Sequence, residues 1–183
     1  MFEHVDGVTL DKLVDKEVRL TWERARGIFG EAAKALAYAH SKNVVHRDLK
    51  LANIMMTREN EVKVMDFGLA RHAQESLARA SNKEVVGSPA YMAPEQEMGV
   101  SSRESDIYSL GVCLYEALTG DMPFKGPDFH YQKTLKLYHP LSATLSGLPA
   151  GLEPLIAKAL DPEPDNRYKT AEEFRKALLD IGA

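Results

Sequence analysis

Residues 44–56 read VVHRDLKLANIMM, placing a histidine, an arginine, an aspartate, a lysine and an asparagine between two apolar runs. Asp48 and Asn53 lie five positions apart with Lys50 between them, and Asp66 opens the tripeptide DFG further on. One amide oxygen and two carboxylates suit a hard cation such as Mg²⁺, which takes a few protein oxygens together with those of a phosphate. The Lys50 ammonium is a compact charge suited to the same phosphate. Taken singly, each of these residues is better explained as part of a solvated charged loop, so the order of motifs along the chain has to separate the readings.

Elements of regular structure must bring these side chains together. Ala25, Ile28, Phe29, Ala32, Ala33, Leu36 and Ala39 recur at spacings of three and four, which predicts an amphipathic helix over 22–40 with Thr21 as its cap. Residues 54–56 and 61–65, the latter alternating Val62 and Val64 with Glu61 and Lys63, read as two strands joined by the polar turn TREN. In this hairpin the polar cluster occupies the loop before the first strand and DFG the loop after the second, so the two loops lie close in space.

Residues 69–86 are polar and weakly periodic, the mark of a functional segment, with a short helix expected near AQESLARA. After GSPAYMAPE, the positions Ile107, Leu110, Gly111, Leu114, Tyr115 and Leu118 predict a central helix stopped by Gly120 and Pro123. Further helices are expected near 129–138, over 152–160 and from Thr170 to Ile181.

With 183 residues, 44% of them hydrophobic and a net charge of −4, the composition is that of one globular domain with a real core. The scattered basic residues provide no nucleic-acid footprint. No apolar run reaches membrane-spanning length, MFEHVDG lacks the features of a signal peptide, and the single cysteine, Cys113, reads as a small buried hydrophobe. The expectation is a cytoplasmic location without membrane contact by this chain, although a parent protein could be membrane-anchored.

HRDLKLAN, DFG and APE follow one another in the order of the catalytic-loop, metal-loop and post-activation-loop signatures of eukaryotic-type protein kinases. From Phe2 to Ile181 the chain resembles the C-terminal lobe of this family, most closely its bacterial serine/threonine members. The resemblance implies an α+β, predominantly α-helical fold with a short β-hairpin beside the catalytic loop. It further implies a hinge remnant over 1–7, a catalytic loop over 46–53, an activation segment over 66–95 and a helical subdomain over 96–183.

On the same resemblance Asp48 is the base for the substrate hydroxyl, Asn53 and Asp66 are the Mg²⁺ ligands, and Lys50 steadies the transferred phosphate. ATP is expected to meet Lys50, Asn53, Met55 and Asp66, the hinge residues Glu3 and Val5, and Met65 before the metal aspartate. His46, Phe67 and Gly68 look structural, as do Glu95 paired with Arg167, and Asp106 bonding the catalytic loop. Lys50 and GSPAYMAPE point to serine or threonine in protein substrates. Arg47 before Asp48 marks the subgroup ordered by phosphorylation, with Ser76 and Ser81 as candidate sites and Ser88 where the family more often has threonine. No threonine lies between residues 66 and 95, which departs from the family habit.

A kinase also needs a glycine-rich loop, a strand lysine and a helix glutamate, and this sequence contains no G-x-G. The expectation is therefore a lobe separated from its N-terminal partner lobe, binding ATP weakly and inactive by itself. The hinge-side residues Met55, Met65 and Phe67 are then exposed, and a homodimer or a weakly associating surface is expected there. The rival reading is a non-catalytic module that binds substrates or regulates an intact kinase.

Overall fold

A computed structural model describes residues 6–67 and 88–182. The expectations for Glu3, Val5, Gly68, Ser76 and Ser81, and for a helix within AQESLARA, lie outside the described residues.

The fold is built around α4 (Arg103–Thr119), in which every residue from 105 to 115 is buried. A helix apolar around most of its circumference must be covered on all sides. Around it pack α1 (Leu10–Glu17), α2 (Trp22–Ser41), α7 (Leu152–Ala159) and α8 (Ala171–Asp180). Gly111 permits the close crossing of α4 and α7, since a Cβ there would stand 2.8 Å from that of Ala159. Cys113 is fully buried in the same core, as its apolar setting predicts.

The longest helix, α2, buries Ala25, Ile28, Phe29, Ala32, Ala33 and Leu36 and lies along α8, where the Arg26 guanidinium donates to the Leu179 carbonyl. Thr21 caps it, its hydroxyl accepting from Arg24 N–H at 3.4 Å. Helix α4 is capped by Ser102, and α8 by Thr170, whose hydroxyl accepts from Glu173 N–H at 3.0 Å. At the other end of α4, Gly120 takes the left-handed conformation (φ 76°). A side chain there would collide with the Val18 carbonyl oxygen, 2.3 Å from the Cβ position.

The sheet is antiparallel, in the order β1 (Gly7–Thr9), β2 (Ile54–Thr57), β3 (Val62–Val64). The expected hairpin is present, with Ile54 opposite Val64 and Met56 opposite Val62. It gains a third strand, since Gly7 to Thr9 pair with Thr57 to Met55, and Gly7, assigned to a hinge remnant from the sequence, is a strand residue. Helix α1 also departs from the sequence reading. In LDKLVDKE only Leu10 and Val14 are buried, so charged residues mask its apolar stripe.

The helix expected over 129–138 ends early, as α5 (Phe129–Thr134). Lys136 turns left-handed (φ 53°), and Tyr138 packs edge-on against Tyr115 and Phe124. Two further single turns, α3 (Pro94–Glu97) and α6 (Leu141–Thr144), are too short to leave a periodic signal. Among the described residues no helix is long and apolar enough to cross a membrane.

Glu116 on α4 accepts a 2.6 Å hydrogen bond from the Tyr91 hydroxyl. Burial raises the pKa of the Glu116 carboxyl, and burial together with Glu116 raises that of the tyrosine. A carboxyl whose folded pKa lies above its unfolded value makes the native state bind more protons, so its contribution to stability is lost as pH rises through the folded pKa. Glu116→Gln, which keeps an acceptor for Tyr91, should raise the thermal midpoint at about pH 8, and this gain should vanish below about pH 4, where glutamate is neutral in both states. Scanning calorimetry across this range checks it, and a gain independent of pH would contradict the assignment.

Candidate active site

The catalytic-loop candidates hang from one carboxylate. Asp106 is buried in the first turn of α4, where the helix N-terminus favours negative charge. Its Oδ2 accepts from His46 N–H (2.8 Å) and from the His40 ring (2.7 Å), and its Oδ1 accepts from Arg47 N–H (2.9 Å). Two successive amides are thus held by one side chain. Arg47 adopts φ 75°, a left-handed conformation that costs a non-glycine residue about 1–2 kcal/mol. The bond to Asp106, together with one from Gln96 Nε2 to the Arg47 carbonyl (3.0 Å), holds it there and turns the chain so that Asp48 leaves the core.

His46 is fully buried and connects the two loops. Its Nε2 lies 2.8 Å from the Met65 carbonyl, which only accepts, so this nitrogen carries the hydrogen. Its Nδ1 in turn accepts from Asp48 N–H at 3.4 Å. The ring also packs against Phe67, with 4.8 Å between centroids. His46 thus contacts both Phe67 and Asp106, the other two residues read from the sequence as structural.

Asp48, Lys50, Asn53 and Ser88 are joined directly. Asp48 Oδ1 accepts from Ser88 N–H (3.1 Å), and its Oδ2 is 3.3 Å from Lys50 Nζ, which also donates to Ser88 Oγ at 3.3 Å. Asp48 and Lys50 keep 27% and 30% of their side-chain surface open to solvent, so a substrate has room to reach them. The Asn53 amide nitrogen donates to the Asp48 carbonyl (2.8 Å), which leaves its oxygen as the available ligating end. Asn53 also receives Met65 N–H on its own carbonyl, at 2.8 Å.

Asp66 follows Met65 directly, exposed and left-handed at φ 63°. Among the described residues no hydrogen bond joins it to Asp48 or Asn53, and no three His, Cys, Asp or Glu side chains form a metal cluster. An amide oxygen and a nearby carboxylate on tied loops are the incomplete oxygen set that Mg²⁺ uses when phosphate and water fill its remaining positions. Met55 and Met65 are half-buried rather than exposed, and Phe67 likewise.

Glu95 and Arg167 form a buried, two-pronged ion pair, Nη1 to Oε1 at 2.7 Å and Nη2 to Oε2 at 2.8 Å. The remaining capacity of the guanidinium is used by the Asp161, Glu104 and Pro162 carbonyls, and its plane lies 4.8 Å from the Tyr108 ring centroid. Ser105 donates to Glu95 Oε1 at 2.8 Å. With every partner satisfied, this pair fixes the chain after Ser88 to the helical frame.

Reading the sequence did not identify His40, Gln96 or Ser109 as part of this assembly. Ser109 donates to the Tyr91 carbonyl at 2.9 Å, and Gln96 Oε1 accepts from Ala93 N–H at 3.0 Å. The available signal was a polar residue at a position of helical apolar spacing, as with His40 one turn after Leu36 and Ser109 within the run around α4.

A family model of the protein kinase domain matches residues 1–179. Serine/threonine-protein kinase PknB of Mycobacterium tuberculosis is 42% identical over 186 residues, covering 99% of this chain and 30% of that protein. PknB of Mycobacterium leprae is 40% identical over 185 residues with the same coverage of each. The probable serine/threonine-protein kinase PknB of Bifidobacterium longum is 38% identical over 184 residues, covering 98% of this chain and 27% of its own length. The chain thus spans less than a third of the length of the curated relatives it matches.

Breaking the ion pair on one side leaves the other charge buried. Arg167→Met should cost about 3–5 kcal/mol in urea-induced unfolding, and pairing it with Glu95→Leu should recover most of the loss. A loss below about 1 kcal/mol for the single variant would show that the pair does not anchor the segment.

Proposed function

The chain belongs to the protein kinase domain family, and on that premise we propose that it is the substrate-holding, catalytic lobe of a serine/threonine protein kinase whose parent protein transfers the γ-phosphate of ATP to protein hydroxyls. The observation that carries this reading is the contact of Ser88 with both Asp48 and Lys50. It puts the segment that would hold the acceptor against the base and the phosphate-directed ammonium. The serine/threonine kinase names of the relatives support the choice of acceptor.

In this reading Asp48 orients the substrate hydroxyl and takes its proton as the oxygen attacks the phosphorus, while Lys50 offsets charge on the transferred group. Asn53 and Asp66 would hold Mg²⁺, which when bound neutralises phosphate oxygens. Met55 and Met65 provide a polarisable apolar floor for the adenine ring. Most of the rate then comes from position, which explains why so much of the fold is spent on immobilising residues 46–53. The glycine-rich lobe that clamps ATP in kinases is placed, on this proposal, over Met55, Met65 and Phe67.

Arg47 fits a second feature of the family. Its Nε is buried without a hydrogen-bond partner among the described residues. An unmet guanidinium donor at this position suits a phosphate on Ser76 or Ser81, which would supply the missing acceptor.

Phosphate transfer from ATP·Mg²⁺ to a serine-containing protein, measured with the full-length parent protein, tests the assignment. Asp48→Asn should lower kcat by about 10²–10⁴-fold with the thermal midpoint kept, the range a general base contributes. Turnover within threefold of the parent would remove Asp48 from the role of base.

A further inference from the structure

One lysine near the site takes no part in the chemistry above. Helix α5 is short, and Lys133 is its only buried side chain, while Tyr131 beside it is 61% exposed. Lys133 Nζ donates to the Pro89 carbonyl at 2.5 Å and to Glu97 Oε1 at 2.7 Å, and it lies 5.4 Å from the Phe129 ring centroid. The second oxygen of Glu97 is 2.9 Å from His130 Nδ1, so α3 and α5 share one carboxylate.

Stability gives no ready reason for a lysine here. Burial pulls its pKa down against the opposing pull of Glu97, and an apolar pair in place of Lys133 and Glu97 would fill the space without desolvating charges. What an apolar residue lacks is a donor for the Pro89 carbonyl. Pro89 follows Ser88, whose N–H is bonded to Asp48 and whose carbonyl accepts from Tyr91 N–H at 2.9 Å. Residues 88–91 therefore form one turn, held by Asp48 at its start, by Ser109 at its end, and by Lys133 in the middle.

We propose that Lys133 is a positioning residue for phosphoryl transfer: together with Glu97 it clamps the Pro89 carbonyl and so sets Ser88 against Asp48 and Lys50. This rests on the kinase reading. A displacement of α5, which has no other buried side chain, is passed through one ammonium to the peptide next to Ser88. The expected consequence is selective, affecting transfer to protein substrate and leaving nucleotide binding alone.

Lys133→Met in the full-length parent protein keeps the volume and removes the donor. With dephosphorylated casein as substrate, kcat should fall by about 10–100-fold, the scale of a misplacement near 1 Å, while the KM for ATP·Mg²⁺ stays within about twofold. The thermal midpoint should fall, because Glu97 keeps only its His130 partner and the Pro89 carbonyl loses its donor. Amide exchange at Ser88 and Tyr91 should quicken by about tenfold, which reads the clamp without any activity.

A purely structural lysine would instead move the nucleotide and protein parameters together. An unchanged kcat on casein, or unchanged exchange at Ser88 and Tyr91 in the folded variant, would overturn the proposal. If Asp48→Asn proves silent, the kinase reading fails by itself, and the exchange result still decides whether the clamp exists. Should Lys133→Met fail to fold, Glu97→Gln replaces it; loss of the counter-charge should quicken exchange at Ser88 by about threefold to tenfold, and no change would count against the clamp.

Discussion

The Asp106 carboxylate is the constraint on which the site depends. Its two oxygens accept from two consecutive backbone amides and from a buried histidine, and α4 carries it inside the most apolar part of the molecule. Charge-assisted bonds in so dry a place are strong, and their loss would leave an uncompensated carboxylate in the core. A loop held in this way has its geometry set by the helix packing and not by its own propensities. The left-handed Arg47 is the visible result, an unfavourable local conformation maintained because the surroundings over-determine it.

Helix α4 serves two purposes along its length. It buries Ile107, Leu110, Val112, Cys113, Leu114 and Leu118, and it also presents Ser105, Asp106, Ser109 and Glu116 to the parts of the chain that surround Asp48. Ser105 and Asp106 reach Glu95 and the backbone of His46 and Arg47, while Ser109 and Glu116 reach the backbone and the hydroxyl of Tyr91. These polar groups lie at helical spacings of three, four and seven, so a single face of one rigid element sets the register of both segments. Placing them on a fully packed helix makes them precise, since a close-packed core does not yield gradually.

Much of this was legible in the sequence, and the limits have physical causes. The long helices announced themselves through apolar spacing, and the motifs HRDLKLAN, DFG and APE, with Glu95, Asp106 and Arg167, gave the site its outline. Helix α1 was missed because its buried stripe is two residues wide in a charged octapeptide, and β1 because three residues carry no periodicity. The reach of the helix after Phe129 was overestimated because Tyr138 is drawn inward by an aromatic cluster that no local pattern reveals. His40 and Lys133 stayed hidden for a related reason: their partners lie 66 residues away on α4 and 36 to 44 residues away before α4, and only tertiary packing brings them together.

The pairing of α2 with α8 has a bearing on how the protein is made. The face of α2 that carries Ile28, Phe29 and Ala32 leaves the ribosome well before Phe174 and Leu178 exist to help cover it. At ordinary elongation rates of about 5–20 residues per second, the roughly 150 residues between them take about 7–30 s to synthesise. During that interval α2 can be covered only by the sheet and α4, so the core is closed by the last helix to be made.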